Sequence, residues 1–510
     1  MKNVYKSYTI ILLISIGIKL FDVLKNILVA SNLGVSSSAD IFMGIISIPD
    51  SLIVLVGLDS IKGVVNSEYA SLESTERKEK VMDSFSNIFS IISLISLFFV
   101  IIFIIFREQL IDILLPGFAP EKKAVASQIA LIIFPVFFFK SIIGMLQAFM
   151  NALKRFYYPA LLNSLPTFFM IAAIFLPFYR NDLIFNLSFS VIISNFFVFI
   201  FSLLFLQRII GLVKIKKIKF DKQTKQILKG CTSLIFLLLS EQIFNVSKNF
   251  LASYFGEGAI SSLNYSRSVS LVIMGLIFSS IFSVLLSNMS SMFASDIKIK
   301  TRNLFTKTLT GLIFIVIMLV VIFLISGREV LSILYLRGKF DLSAIDMTMK
   351  PYVWEVMSQL SFIMYIIPIA LFLSKKKYHT LNMIGSSVFI CGILVNLIAV
   401  KIFGYYGISI ANFFVTSVYA VILLYNSRFI FGKYKREVLI FLKLLFSGVV
   451  TFLAVYLIKT AFKSYAAVDI IGNIRNAVVY SSIIVIVYLG LTYLLKVNYL
   501  MDFISMIKKK

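Results

Sequence analysis

Residues 8–30 read YTIILLISIGIKLFDVLKNILVA. This run is long and apolar enough to cross a bilayer as a helix, yet Lys19, Asp22, Lys25 and Asn26 interrupt it. At 100° per residue, positions 19, 22 and 26 fall on one face and 25 lies beside them. Charge in the middle of a spanning helix is costly in lipid, so this face must turn toward protein or a water-filled cavity. The stretch is too long for a signal-peptide core and lacks a small-residue cleavage pattern, so it reads as a first transmembrane helix.

The rest of the chain agrees. Of its 510 residues, 59% are hydrophobic and only 14% charged, which points to an all-α polytopic membrane protein. Two cysteines in separate apolar segments, Cys231 and Cys391, and a single histidine, His379, leave little for a disulfide framework, a metal centre or a Ser-His triad. No Walker A sequence and no Gly-rich dinucleotide pattern is present, so no nucleotide cofactor is expected. The formal charge of +25 would suggest nucleic acid in a soluble protein; here the positive-inside rule explains it, and no nucleic-acid partner is expected.

About fourteen spanning segments are predicted, with centres from near residue 19 to near residue 484. Placing the N-terminus in the cytoplasm puts about 30 of the 49 basic residues in inside segments, so both termini are expected there. The densest block is Lys214, Lys216, Lys217, Lys219, Lys222, Lys225 and Lys229. It lies halfway along the chain and suits anionic lipid headgroups. The predicted organisation is an N-lobe of six helices over 1–207, a basic cytoplasmic linker over 208–229, a second six-helix lobe over 230–430, and two additional helices with a basic tail over 431–510. Repeated halves of this kind recur in secondary transporters. A faint internal echo supports the division: amphipathic outer loops run from Arg107 to Lys123 and from Arg328 to Lys350.

Other polar residues fall inside the predicted spans. The second carries Asp40, Asp50, Asp59 and Lys62; the fourth Lys140; the eighth Asn264 and Arg267; the thirteenth Lys443, near enough to an end to snorkel. In the seventh, Glu241, Asn245, Lys248 and Asn249 share a face. Lys19, Lys25, Lys248 and Arg267 outnumber Asp22 and Glu241, and a net-positive cavity between two halves suits a phosphate or pyrophosphate. The competing reading makes these charges interhelical ion pairs that hold the bundle together. Pro49, Pro135, Pro166 and Pro368 are expected to kink their spans.

Several stretches resemble the MurJ/MviN family of lipid II flippases, within the multidrug/oligosaccharidyl-lipid/polysaccharide superfamily. They are SNLGVSSSADIF (31–42), IPDSL (48–52), the run from LLPGF to NSLP (114–166), EQIFNVSKNFLASYFGEGAISSLNYS (241–266) and LYLRGKFDLSAIDMT (334–348). The resemblance implies fourteen helices in two pseudo-symmetric lobes around a central cationic cavity, and alternating access that carries an undecaprenyl-linked diphosphate outward. It places Lys19 and Lys25 where the family has cavity-lining arginines, Asn26 where an aspartate is usual, and Asp40 and Lys248 at an acidic and a basic family position. Ser268 takes the place of a family arginine, with Arg267 one residue away. Ile53 and Val54 replace basic residues that usually follow the proline of the second span.

The function expected is therefore a flippase for an undecaprenyl-pyrophosphate-linked saccharide, lipid II first, in the bacterial inner membrane and acting as a monomer. Lys19, Lys25, Lys248 and Arg267 would bind substrate; Asp22, Asn26, Asp40, Glu241 and Asn245 would tune charge or gating. Membrane potential or an ion gradient would drive it. The alternatives are a flippase for O-antigen, capsule or exopolysaccharide units and, from another substrate class, a cation-coupled drug exporter.

Overall fold

The computed structural model describes residues 2–53, 75–153, 155, 157–176, 182–210, 235–294, 298–432, 434–462 and 469–497. Val54, Asp59, Lys62, the lysine block between Lys214 and Lys229, and the tail from residue 498 lie outside the described residues.

The described chain is built from helices: α1 (Lys2–Leu33), α2 (Ser37–Leu52), α3 (Thr75–Ile105), α4 (Arg107–Leu114), α5 (Pro120–Ile133), α6 (Val136–Ala152), α7 (Tyr157–Leu162), α8 (Leu165–Phe175), α9 (Leu183–Ile210), α10 (Ile235–Ala252), α11 (Ala259–Ala294), α12 (Lys298–Ile325), α13 (Gly327–Tyr335), α14 (Leu342–Ser374), α15 (Tyr378–Phe403), α16 (Gly407–Phe431), α17 (Lys435–Ala461) and α18 (Ile470–Leu494). All expected span centres fall on helices. Among the described residues, nine helical stretches are long and apolar enough to cross a bilayer. A helix satisfies its own backbone, which lipid requires.

Two of the four expected proline kinks coincide with breaks. Pro135 separates α5 from α6, and Pro166 opens α8 after a break at Asn163–Ser164. Pro49 and Pro368 sit inside α2 and α14, which continue through them. The start of α14 is set chemically: Asp341 Oδ1 accepts from the Ala344 N–H at 2.8 Å and the Ser343 hydroxyl at 2.7 Å, which hold its carboxyl below the usual carboxylate range.

The chain forms two compact units, Met1–Ser261 and Ser262–Lys510. In the first, α9 packs on α6 and α8, α6 on α3, α5 on α2, and α1 on α7 and α8. Its core is aromatic: Phe85 and Phe149 lie 4.2 Å apart between centroids, and Phe103 meets Phe137 at 5.3 Å. The Pro-Gly-Phe corner after α4 abuts the end of α10, where the Gly117 N–H donates to Ser253 Oγ at 3.0 Å. A Cβ on Gly117 would stand 2.3 Å from the Ser253 carbonyl oxygen, so only glycine permits this approach.

In the second unit α14 and α16 form the most extensive pair, α12 packs on α14 and α17, and α18 packs on α17 and α13. Helix α17 is inverted relative to a soluble helix. Leu442, Phe446, Val449, Leu453 and Leu457 are exposed, while Ser447, Gly448 and Thr451 are buried. In lipid, small residues let helix backbones close on each other. A Cβ on Gly448 would come within 2.5 Å of Ile317 Cγ2 on α12. Gly448→Leu is expected to force α17 off α12 and cost about 1–3 kcal/mol, read as a lower thermal transition in detergent.

The echo between outer loops becomes two short helices that begin alike. Both α4 and α13 follow a one-residue break, at Phe106 (φ −98°, ψ 22°) and Ser326 (φ −97°, ψ 15°), and both carry Arg-Glu near the start. The environments then diverge. Glu108 is exposed beside Arg107, whereas Glu329 is fully buried against Lys459 of α17 at 2.6 Å.

Candidate functional site

The charged face of α1 packs against α7 and α8. Lys19, mostly exposed, lies 3.7 Å from Asp22 one turn on. Asp22 Oδ1 also accepts the Thr167 hydroxyl of α8 at 2.5 Å. The break before Pro166 opens α8 and sets Thr167 in its first turn, where it reaches this carboxylate. Lys25 is half-buried, with Asp22, Lys19 and Lys140 as its charged neighbours. Among the described residues no carboxylate lies within ion-pair distance (4 Å) of Lys25. Asn26 is half-buried beside it in sequence. Lys140 of α6 donates to Asp50 Oδ1 of α2 in a close ion pair. Within the cluster formed by Lys19, Lys25, Lys140, Asp22 and Asp50 the excess is one positive charge.

The polar face of α10 packs toward α2. Lys248 Nζ donates to Asn245 Oδ1 at 3.0 Å and lies 4.6 Å from the Phe244 ring centre. Asn249 Nδ2 donates to Ser47 Oγ of α2 at 2.8 Å. Glu241 lies one turn before Asn245 and is half-buried. The cavity beside the Asn249–Ser47 bond, about 20 Å³, has room for a water rather than a diphosphate.

Asp40 does something different from the lysines. It is 1% exposed. Its Oδ2 accepts from Lys122 Nζ at 3.1 Å and from the Gly258 N–H at 2.8 Å, and its Oδ1 accepts from the Ser261 N–H at 2.8 Å. Gly258 precedes α11 with φ +89°, so it has no side chain to cap that helix. Asp40 supplies the cap in trans. Lys122 is held further by the Phe118 ring at 4.1 Å. In the second unit Arg267 is exposed on α11, and Ser268 is half-buried with its hydroxyl on the Asn264 carbonyl at 2.8 Å.

Sequence reasoning missed four participants. Thr167 and Lys122 read as ordinary residues until the fold set them on Asp22 and Asp40. Ser47 gave no signal, being one serine in an apolar helix. Glu355 was legible: within a span, Glu355, Ser358 and Gln359 recur at i, i+3 and i+4. Glu355 is buried, and its Oε1 accepts the Ser409 hydroxyl at 2.8 Å. Among the described residues it has no ion pair.

A family model described as "Lipid II flippase MurJ" matches residues 29–489. The chain belongs to the lipid II flippase MurJ family. Its curated relatives include a "Probable lipid II flippase MurJ" of Buchnera aphidicola subsp. Baizongia pistaciae (strain Bp), 24% identical over 420 residues and 80% of each chain. Another with that name, from Aquifex aeolicus (strain VF5), is 25% identical over 337 residues and 65% of each chain. A solved structure titled "Lipid II flippase MurJ, inward closed conformation" matches with a TM-score of 0.78 at 20% identity, covering 96% of this chain and 98% of that one. An inward-facing MATE-family transporter of the MOP superfamily matches with a TM-score of 0.65 at 14% identity, over 84% and 98%. The MurJ family member described here is thus a multi-pass membrane transporter and not an enzyme.

Proposed function

We propose that this MurJ family member moves an undecaprenyl-pyrophosphate-linked saccharide, lipid II, from the inner to the outer leaflet of the bacterial plasma membrane by alternating access, with both termini cytoplasmic. The observation that carries the site is Lys25. A half-buried cation in a spanning helix, beside Lys19 and Lys140 and, among the described residues, without a carboxylate in ion-pair distance, is costly unless an anion neutralises it. A diphosphate supplies that anion through charge-assisted hydrogen bonds. Lys19, Lys25 and Lys248 hold it. Asp22 and Thr167 set the position of Lys19; Asn245 orients Lys248; Asn26 and Glu241 adjust the local charge; Asp40 acts through the first turn of α11. Membrane potential or an ion gradient supplies the drive, the former at roughly 2.3 kcal/mol per elementary charge per 100 mV.

The decisive measurement is lipid II accessible at the outer surface after the native flippase is depleted and this chain supplied. Restoration is expected. Lys25→Ala is expected to lower it by about tenfold or more, the worth of one charge-assisted contact, with expression unchanged; Lys248→Ala follows the same pattern. Normal transport by both variants defeats the cationic site. Good membrane expression without restoration defeats lipid II as cargo. It would favour an O-antigen, capsule or exopolysaccharide unit, the reading suggested by Ile53 and Val54 where the family carries basic residues.

A further inference from the structure

At one end of the second unit a cavity of about 350 Å³ opens between the start of α12, the start of α17 and the chain leaving α18. Lys307, Arg436, Lys443 and Lys496 line it, with Glu437 as the one acidic residue among the described residues. Glu437 is drawn off by Arg302, 3.9 Å away on α12. Four cations around one engaged carboxylate make a strongly positive hollow.

The cavity is built rather than incidental. Lys443 Nζ donates to the Leu495 carbonyl at 2.9 Å, which fixes the end of α18 against α17. There the Lys496 N–H reaches the Tyr493 carbonyl at 3.0 Å and the Val497 N–H reaches the Thr492 carbonyl at 3.0 Å, a Schellman termination. That motif favours glycine at the left-handed position; here Lys496 occupies it at φ +51°. The lysine is held in a disfavoured backbone region on the cavity wall.

Leu439 lines the cavity, and the helices that frame it carry further outward-facing apolar residues. Ile299, Val438, Leu439, Leu442 and Leu494 are all more than half exposed. These residues begin or end spans, so the cavity sits at the boundary between hydrocarbon and water. A basic hollow framed by helices with an exposed apolar collar of side chains matches one kind of ligand, with a phosphate at one end and acyl chains at the other.

We propose that this cavity binds the headgroup of an anionic phospholipid from the surrounding leaflet, its acyl chains lying along the collar. Basic pockets between spanning helices bind lipid phosphates in this way. The site is separate from the lysines of α1 and α10 and does not depend on which cargo they take.

The test uses the full chain in detergent, titrated with phosphatidylglycerol or phosphatidylcholine and read by native mass spectrometry. Phosphatidylglycerol is expected to be retained in preference to phosphatidylcholine. Arg436→Gln with Lys496→Gln should weaken that retention by roughly 30-fold, about 1 kcal/mol for each charge removed. The charge-preserving pair Arg436→Lys with Lys496→Arg should keep it, which separates charge from misfolding. Arg337→Gln with Lys339→Gln, in the loop after α13, should change nothing. Equal retention of the two lipids, or unchanged retention in the Gln pair, overturns the proposal. So does displacement of the lipid by millimolar inorganic phosphate, which would assign the site to a soluble anion.

Discussion

Replacing Asp40 with alanine is expected to lower the stability of the purified protein by about 3–5 kcal/mol, the range for breaking a buried charge pair from one side. Three groups lose their acceptor together. Lys122, whose side chain is 13% exposed, keeps its charge without a counterion, and the Gly258 and Ser261 N–H groups at the first turn of α11 lose their cap. Gly258 cannot replace that cap from its own side chain. The measurement is the thermal transition in detergent, with SDS titration for the free-energy scale. Asp40→Asn should fall between wild type and Asp40→Ala, because the amide oxygen still accepts one N–H while the ion pair is gone. Adding Lys122→Met to Asp40→Asn should recover part of the loss by removing the uncompensated cation. If Asp40→Ala unfolds like wild type, the brace has no energetic weight and Asp40 must be assigned to transport alone.

Lys459→Met is expected to be comparably damaging in the second unit, again by about 3–5 kcal/mol. Glu329 is 0% exposed, and Lys459 Nζ reaches both its Oε1 and the Ile325 carbonyl at 2.6 Å, with the Tyr480 ring centre 5.5 Å away. This one ammonium ties α17 to the break between α12 and α13. Removing it strands a carboxylate and leaves a helix-terminal carbonyl without its donor. The double variant Lys459→Met with Glu329→Gln should be markedly more stable than Lys459→Met alone, since the buried charge is gone. Equal thermal transitions for the single and double variants would show that Glu329 is not the source of the cost. The same comparison on α4 predicts almost nothing, because Glu108 is exposed and exposed pairs contribute about 0–1 kcal/mol.

The contrast between Glu108 and Glu329 shows how far sequence reading reached. Both follow an arginine at the start of a short amphipathic helix, and the outer-loop echo was legible from spacing. Which glutamate is buried was not, because that depends on α18, which packs on α13, and on Lys459 of α17, both remote in sequence. The cationic faces of α1 and α10 were likewise legible, since helical periodicity depends only on local order. Lys140, ambiguous by sequence, became one half of a pair with Asp50 once α6 met α2. Asp40 read as a charge at the end of a span. Its role as a cap for α11 required a loop 218 residues away in the chain.

The sequence by itself determined the class, the helices and the residues whose charge must be explained. Apolar run length and a 3.6-residue period are local properties, and in lipid a segment of that kind has one way to satisfy its backbone. The matching family adds the fold in which those helices are arranged. Only the tertiary structure decided which charges neutralise each other and which remain. Ion pairing falls off within a few ångströms, and the partners of Asp22, Asp40, Asp50 and Glu329 arrive from other helices. That sorting leaves Lys25 without a carboxylate in ion-pair distance among the described residues.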